Sequence, residues 1–241
     1  MDNNKKQEDF HNKIALYYNT YVKKEIFDYY ISVRVKQIIK SIGSKSSKDL
    51  VMMDGACGSG ELAFALSKHF KKVVGMDLSE NMINLCKSRY EDISNLEYKK
   101  QDILNLDSWK NKFDLICCTD LHHLCGKQNV KKFLETAKKA LKKDGILFIT
   151  DTNMGNLIVS KVVNKINKKF HAGNEIYLTK KEIESLLDKT NYNITNSYYF
   201  GLCPSFSPKS LIPFFDSLGN LISKTPLEKI SVNFYIVSKS R

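Results

Sequence analysis

The apolar run Leu50-Val51-Met52-Met53 breaks into Asp54-Gly55-Ala56-Cys57-Gly58-Ser59-Gly60, and the chain then resumes a helical pattern through about Phe70. A strand, a glycine turn and a helix in that order leave few folds open. Glycine lets the backbone reverse tightly and lets a ligand lie against bare main chain, so the segment reads as a βα unit with a binding site at its turn.

The same alternation continues. Val73–Met76 reads as a second strand, and Ser79 as the N-cap of a helix carrying Met82, Ile83, Leu85 and Cys86. Leu96–Lys100 and Phe113–Cys118 read as third and fourth strands, the latter apolar on both faces as a central parallel strand requires. A helix from Val130 to Leu141 gathers Phe133, Leu134, Ala137 and Ala140 on one face, with Gly145 placed as its C-cap, before a fifth strand at Ile146–Thr150. The expected fold class is α/β, a doubly wound, mostly parallel sheet.

Flanking segments break the rhythm. Residues 7–42 read as helical and rich in aromatics, and Thr179 with Glu182 forms a capping-box pattern for a late helix. Two more strands are expected at Ile194–Phe200 and Val232–Val237, and all four prolines (Pro204, Pro208, Pro213, Pro226) lie between them. The expected organisation is an N-terminal helical cap over 1–46 and a ligand-binding domain over 47–241, with a lid insertion near 201–230.

Charge bears on the choice of partner. The net charge of +12 invites nucleic acid, yet of 38 basic residues only Arg34, Arg89 and Arg241 are arginines. Phosphate clamps and groove readers favour the arginine fork, and these lysines are spread along the chain, which argues for a solvated surface and against nucleic acid. The six cysteines form no C-x-x-C pair and no Cys/His grouping of zinc-finger spacing, so reduced thiols in a cytoplasmic protein and no metal site are expected. Met1–Glu8 is polar, and no apolar run of membrane-spanning length occurs.

Acidic residues at successive strand ends suggest the ligand. Gly58-Ser59-Gly60-Glu61-Leu62-Ala63 fits a G-x-G-x-x-A dinucleotide fingerprint, but Asp54 beside the loop would repel a pyrophosphate. S-adenosylmethionine brings an ammonium and a sulfonium to the same place, and a carboxylate suits both; the plainer alternative is that Asp54 caps the turn. Asp77, closing the second strand, stands where an acid meets ribose hydroxyls in nucleotide-binding βαβ units. In Gln101-Asp102-Ile103 a carboxylate can accept from the adenine amine, while Ile103 and Met82 pack on the ring.

Taken together, Asp54–Gly60, Met76-Asp77-Leu78-Ser79, Gln101-Asp102-Ile103, Phe113-Asp114-Leu115-Ile116 and Lys143-Asp144-Gly145-Ile146-Leu147 resemble the motifs of the Rossmann-like class I S-adenosylmethionine-dependent methyltransferases, and most nearly their quinone-biosynthesis and natural-product branch. The resemblance spans about residues 48–152. It implies a seven-stranded sheet with an antiparallel last strand. It also implies the glycine loop, with Gly55, Ala56, Gly58 and Gly60, against the methionine moiety, Asp77 on the ribose and Asp102 near the adenine; Leu78, Cys118 and Thr119 are further expected cofactor-binding residues. Leu121-His122-His123-Leu124 matches a frequent ending of the segment after the fourth strand, although Cys118-Thr119-Asp120 is about one residue shorter than usual.

The expected activity is methyl transfer to oxygen or nitrogen of a small, partly apolar acceptor by a monomer or homodimer, releasing S-adenosylhomocysteine. An alcohol or phenol acceptor needs a base, for which His122, His123 and His171 are candidates; each has a plain alternative as a hydrogen-bonded structural histidine. Tyr18 and Tyr21 can close over the sulfonium through their ring faces or simply pack a helix on the sheet. The competing readings are an RNA or protein methyltransferase, a non-catalytic S-adenosylmethionine-binding regulator and, more remotely, a nicotinamide-dependent oxidoreductase.

Overall fold

The computed structural model describes residues 3–15, 24–170, 175–203, 207–222 and 225–240. Two helices come first, α1 (Asn3–Ile14) and α2 (Lys24–Ser41), where the sequence pattern suggests one helical stretch; Tyr18 and Tyr21 fall between them, outside the described residues. The alternating core follows as β1 (Val51–Gly55), α3 (Glu61–Ser67), β2 (Lys72–Asp77), α4 (Glu80–Arg89), β3 (Leu96–Lys100), β4 (Phe113–Thr119), α5 (Lys127–Ala140), β5 (Leu141–Thr152) and α6 (Leu157–Phe170). Then come α7 (Lys180–Lys189), β6 (Tyr192–Phe200), α8 (Ile212–Ile222) and β7 (Asn233–Ser240).

The strands form one seven-stranded sheet in the order β3-β2-β1-β4-β5-β7-β6. Pairs from β3 to β5 are parallel, while β7 runs antiparallel to both of its neighbours. Strand side chains alternate between faces, so adjacent residues feed opposite cores. Met53, Val74 and Ile116 face α5 and α7 through Phe133, Leu134 and Ile183. Met52, Val73 and Leu115 face α3 and α2 through Leu62, Leu66 and Ile38. Burial on both faces explains why β1, β2 and β4 read as unbroken apolar runs.

Local signals act where the sequence places them. Ser79 caps α4 by accepting from the Met82 amide, and Thr179 and Glu182 make the full capping box of α7. Gly145 is a correction. The helix α5 ends at Ala140 and β5 begins at once, so Gly145 lies inside the strand, at an irregularity where the pairing of β4 jumps from Phe113–Leu141 to Leu115–Ile146. A Cβ there would sit 2.8 Å from the Lys142 carbonyl oxygen, so the glycine serves close backbone approach rather than a cap. Among the described residues no helix is long and apolar enough to cross a membrane.

Candidate functional site

The order of the sheet reverses between β1 and β4, and the loops leaving the carboxyl ends of neighbouring strands part there to leave a crevice. Its lining includes Ala56, Gly58, Asp77, Leu78, Gln101, Asp102, Ile103 and His123. The tips of β1, β2, β3 and β4 thus contribute to one wall, as the spacing of the acidic residues suggests.

The glycine loop is held from beneath. Gly58 donates its N–H to Asp77 Oδ2 at 2.9 Å, and the Tyr98 hydroxyl donates to the Gly60 carbonyl at 2.8 Å. Gly60 has a φ of +85°, and a Cβ on it would lie 2.7 Å from both Cys86 Sγ and the Tyr98 hydroxyl oxygen. Gly75 likewise leaves room for the Tyr98 ring, 2.7 Å from where its Cβ would be. Ala56 also takes a left-handed conformation, at φ 57°, where glycine is the comfortable residue.

Other expected residues lie beneath this wall. Asp54 is 1% exposed and accepts from the Cys117 thiol at 3.2 Å, while its Oδ2 is buried without a hydrogen-bond partner. It therefore lies beneath the crevice and is not part of its lining. Burial pushes its carboxyl up to about 7, against the lowering effects of Cys117 and Arg34. Met82 is fully buried under α4, so it packs in the core rather than on an adenine ring. Gly55, Gly60 and Cys118 are buried at or beside the strand tips, and Thr119 is half-buried at the end of β4. Gln101 braces the turn after β3, donating to the carbonyls of Asp102 at 3.1 Å and Asn105 at 2.7 Å. Asp102 accepts from the Leu104 amide at 2.9 Å.

On the β4 side, a short helical turn at Leu121–Leu124 sets the two histidines. His122 Nδ1 meets the buried Asp151 carboxylate at 2.6 Å, and its ring stacks on Tyr177 with centroids 4.2 Å apart. A carboxylate can only accept, so Nδ1 carries a proton, which leaves Nε2 as the atom that gains or loses one. Burial works to lower the His122 pKa, but Asp151, Asp120 and Glu175 outweigh it and raise it. His123 is held well below the ordinary histidine range by burial and by His122 and His11, and so stays neutral. His171 lies outside the described residues.

Several residues that shape the site were not singled out by the sequence pattern. The helix α1 brings Gln7, Glu8 and His11 to the crevice, pinned by Asn12, whose Oδ1 accepts from the Ser79 hydroxyl at 2.6 Å. Arg34 of α2 donates to both oxygens of Asp120, at 2.7 and 2.9 Å, just before the histidine turn. Asp151 closes β5, and the strand-tip rule that flags Asp77 and Asp102 could have found it. Arg34 carries a weaker signal, as one of three arginines in a lysine-rich chain.

Residues 52–145, the segment from β1 into the start of β5, match the methyltransferase domain family. The sheet order is that of the class I, Rossmann-like methyltransferase fold. The domain is similar to the demethylmenaquinone methyltransferase of Staphylococcus saprophyticus, at 30% identity over 141 residues, covering 56% of this chain and 58% of that protein. It is similar also to the ubiquinone biosynthesis O-methyltransferase of Coxiella burnetii, at 33% over 123 residues and 50% of each chain. The chain spans about half the length of the curated relatives it matches. The methyltransferase fold extends further than the sequence match: the magnesium protoporphyrin IX methyltransferase of Synechocystis PCC 6803, solved with bound S-adenosylhomocysteine, superposes with a TM-score of 0.59 at 15% identity, covering 88% of this chain and 82% of that one.

Proposed function

We propose that this chain binds S-adenosylmethionine in the β1–β4 crevice and transfers its methyl group to a small, partly apolar acceptor. The observation that carries the reading is the convergence of Gly58, Asp77, Asp102 and His123 on one cavity at the reversal of the sheet order. Gly58 offers bare backbone to the methionine end, Asp77 accepts from ribose hydroxyls, and Asp102 accepts from the adenine amine. The ionised form of Asp54, buried under the loop, favours the sulfonium. The kinship with quinone methyltransferases supports a small aromatic acceptor.

Methyl transfer is an in-line displacement, and the protein's main contribution is to align the acceptor atom with the S–CH₃ bond and keep water out, which can contribute up to about 7–11 kcal/mol. The histidine turn stands beside the crevice, and its imidazoles, His123 on the cavity wall and His122 oriented by Asp151, assist the loss of a proton from an acceptor hydroxyl or amine. Six free thiols suit a reducing cytoplasm, where we place the protein.

Calorimetry on the full chain with S-adenosylhomocysteine, followed by product release from S-adenosylmethionine with a panel of phenols and amines, tests the proposal. Uptake with turnover on a phenol or amine is expected. No uptake by folded protein overturns it. Uptake without turnover on any acceptor moves the chain to a regulatory binder, and turnover confined to RNA with steep salt dependence moves the acceptor class.

A further inference from the structure

The turn after β4 and the segment leading into α7 bring His122, His123 and Glu175 together, with one ligand atom from each within 4.8 Å of the others. From this geometry we infer a site for one divalent first-row cation of the zinc class, bound by His122 Nε2, His123 Nδ1 and a Glu175 carboxylate oxygen. Its role, though not its existence, rests on the methyl-transfer reading above.

Three observations carry the inference. The first is spacing. His123 Nδ1 stands 3.3 Å from Glu175 Oε1, yet it makes no hydrogen bond and is buried. Nitrogen and oxygen ligands about 2.0–2.1 Å from one tetrahedral ion stand roughly 3.3 Å apart, so the pair is spaced as two ligands of one ion and not aligned as donor and acceptor. The second is orientation. Asp151 holds Nδ1 of His122 and Tyr177 stacks its ring, which leaves Nε2 as the ligating atom, the arrangement in which an outer carboxylate fixes a metal-binding imidazole. The third is charge. Asp151 is 1% exposed and the Glu175 side chain 9%; each accepts from one neutral donor, the Thr152 amide and the Tyr177 hydroxyl respectively, and among the described residues each forms an ion pair only with an imidazole, not with a lysine or arginine. Two buried carboxylates facing neutral or singly charged rings are balanced by a dication.

Three protein ligands leave a fourth position, and His123 lies on the crevice wall with Asp77 and Asp102. That position takes an acceptor oxygen, so the substrate class is an alcohol or phenol. Bound to the cation, the hydroxyl releases its proton to water at neutral pH. The oxygen then forms the O–CH₃ bond as the S–CH₃ bond breaks, and the electron pair returns to sulfur as S-adenosylhomocysteine leaves.

The test uses the full chain, stripped with a chelator and titrated with Co²⁺ as a visible stand-in for Zn²⁺, with S-adenosylhomocysteine binding measured on the same samples. One equivalent of cobalt with four-coordinate absorption, displaced by zinc, is expected. Both Glu175→Gln and His122→Ala should weaken it at least about tenfold, and Asp151→Asn by roughly 10–100-fold. Should His122→Ala fail to fold, Glu175→Gln still decides the matter. Cobalt uptake without S-adenosylhomocysteine uptake keeps the ion site and removes its role in methyl transfer. Absence of cobalt uptake in protein that does bind S-adenosylhomocysteine overturns the ion site alone, as does uptake that survives both ligand substitutions unchanged.

Discussion

Asp77 clamps Gly58: one carboxylate oxygen accepts the Gly58 amide at 2.9 Å while the other accepts the Ser79 amide at 2.9 Å. The side chain that should meet a ribose therefore also ties the glycine loop to the start of α4. Removing it should weaken both functions. Asp77→Ala is expected to reduce S-adenosylhomocysteine affinity more than tenfold by calorimetry and to lower unfolding free energy by about 1.5–3 kcal/mol in urea, the range for hydrogen bonds to a charged group. Asp77→Asn keeps one acceptor oxygen and should fall between. Unchanged affinity in folded Asp77→Ala removes Asp77 from the ribose.

Ala56 holds a φ of 57° at the entrance to the same loop. The left-handed region costs a residue with a Cβ about 1–2 kcal/mol. Glycine relieves that, but it returns about 0.4–1 kcal/mol through the greater freedom of the unfolded chain. Ala56→Gly should therefore raise stability by up to about 1.5 kcal/mol, read from urea midpoints at constant m-value. A drop in stability would mean that the alanine methyl packs against the crevice more strongly than its backbone is strained.

Residues whose reading rests on a short-range rule stand where the sequence places them. The alternation of Met52 and Met53, the Ser79 cap and the Thr179–Glu182 box depend on neighbours within one strand or one turn, and such patterns are written in consecutive letters. Asp77 and Asp102 were legible because strand tips in a parallel sheet converge by topology. Asp54 was legible as to position but not depth: its carboxylate faces Cys117 on the next strand, a pairing set by register rather than by spacing. Glu175 had no sequence signal at all, because its nearness to His123 joins two residues far apart in the chain. Gly145 misled because a glycine after a helix looks the same whether it caps the helix or permits a bulge.

Arg34 and Asp120 join α2 to the end of β4 across 86 residues of sequence, with side chains 16% and 29% exposed. Partial burial places the pair between a surface ion pair, worth up to about 1 kcal/mol, and a buried one, whose loss costs about 3–5 kcal/mol when one partner remains. Asp120 holds a left-handed φ of 59° directly before the histidine turn, so the bond also fixes where that turn begins. A double-mutant cycle on Arg34→Met and Asp120→Asn should return a coupling energy of about 1 kcal/mol or more. A coupling near zero would mark the contact as incidental.

Asp54 gives the domain a pH dependence whose sign can be worked out. Burial raises its folded pKa to about 7, above the ordinary carboxylate value. A carboxyl shifted upward favours the folded state fully below its unfolded pKa, and that contribution is lost as pH rises through about 7, because the fold must then hold a buried negative charge. Asp54→Asn carries no such charge, so its stability relative to the parent chain should grow between about pH 5 and pH 8 in urea titrations. Ligand binding inverts the trend. S-adenosylmethionine brings a sulfonium that the ionised carboxylate attracts, whereas S-adenosylhomocysteine is a neutral thioether. The ratio of their affinities should therefore shift toward the cation as pH rises through about 7, and should stay flat in Asp54→Asn. If the parent chain and Asp54→Asn shared one slope for that ratio, Asp54 would be a strand-end residue that hydrogen-bonds Cys117 and nothing more, and the discrimination between cofactor and product would have to come from the crevice wall itself.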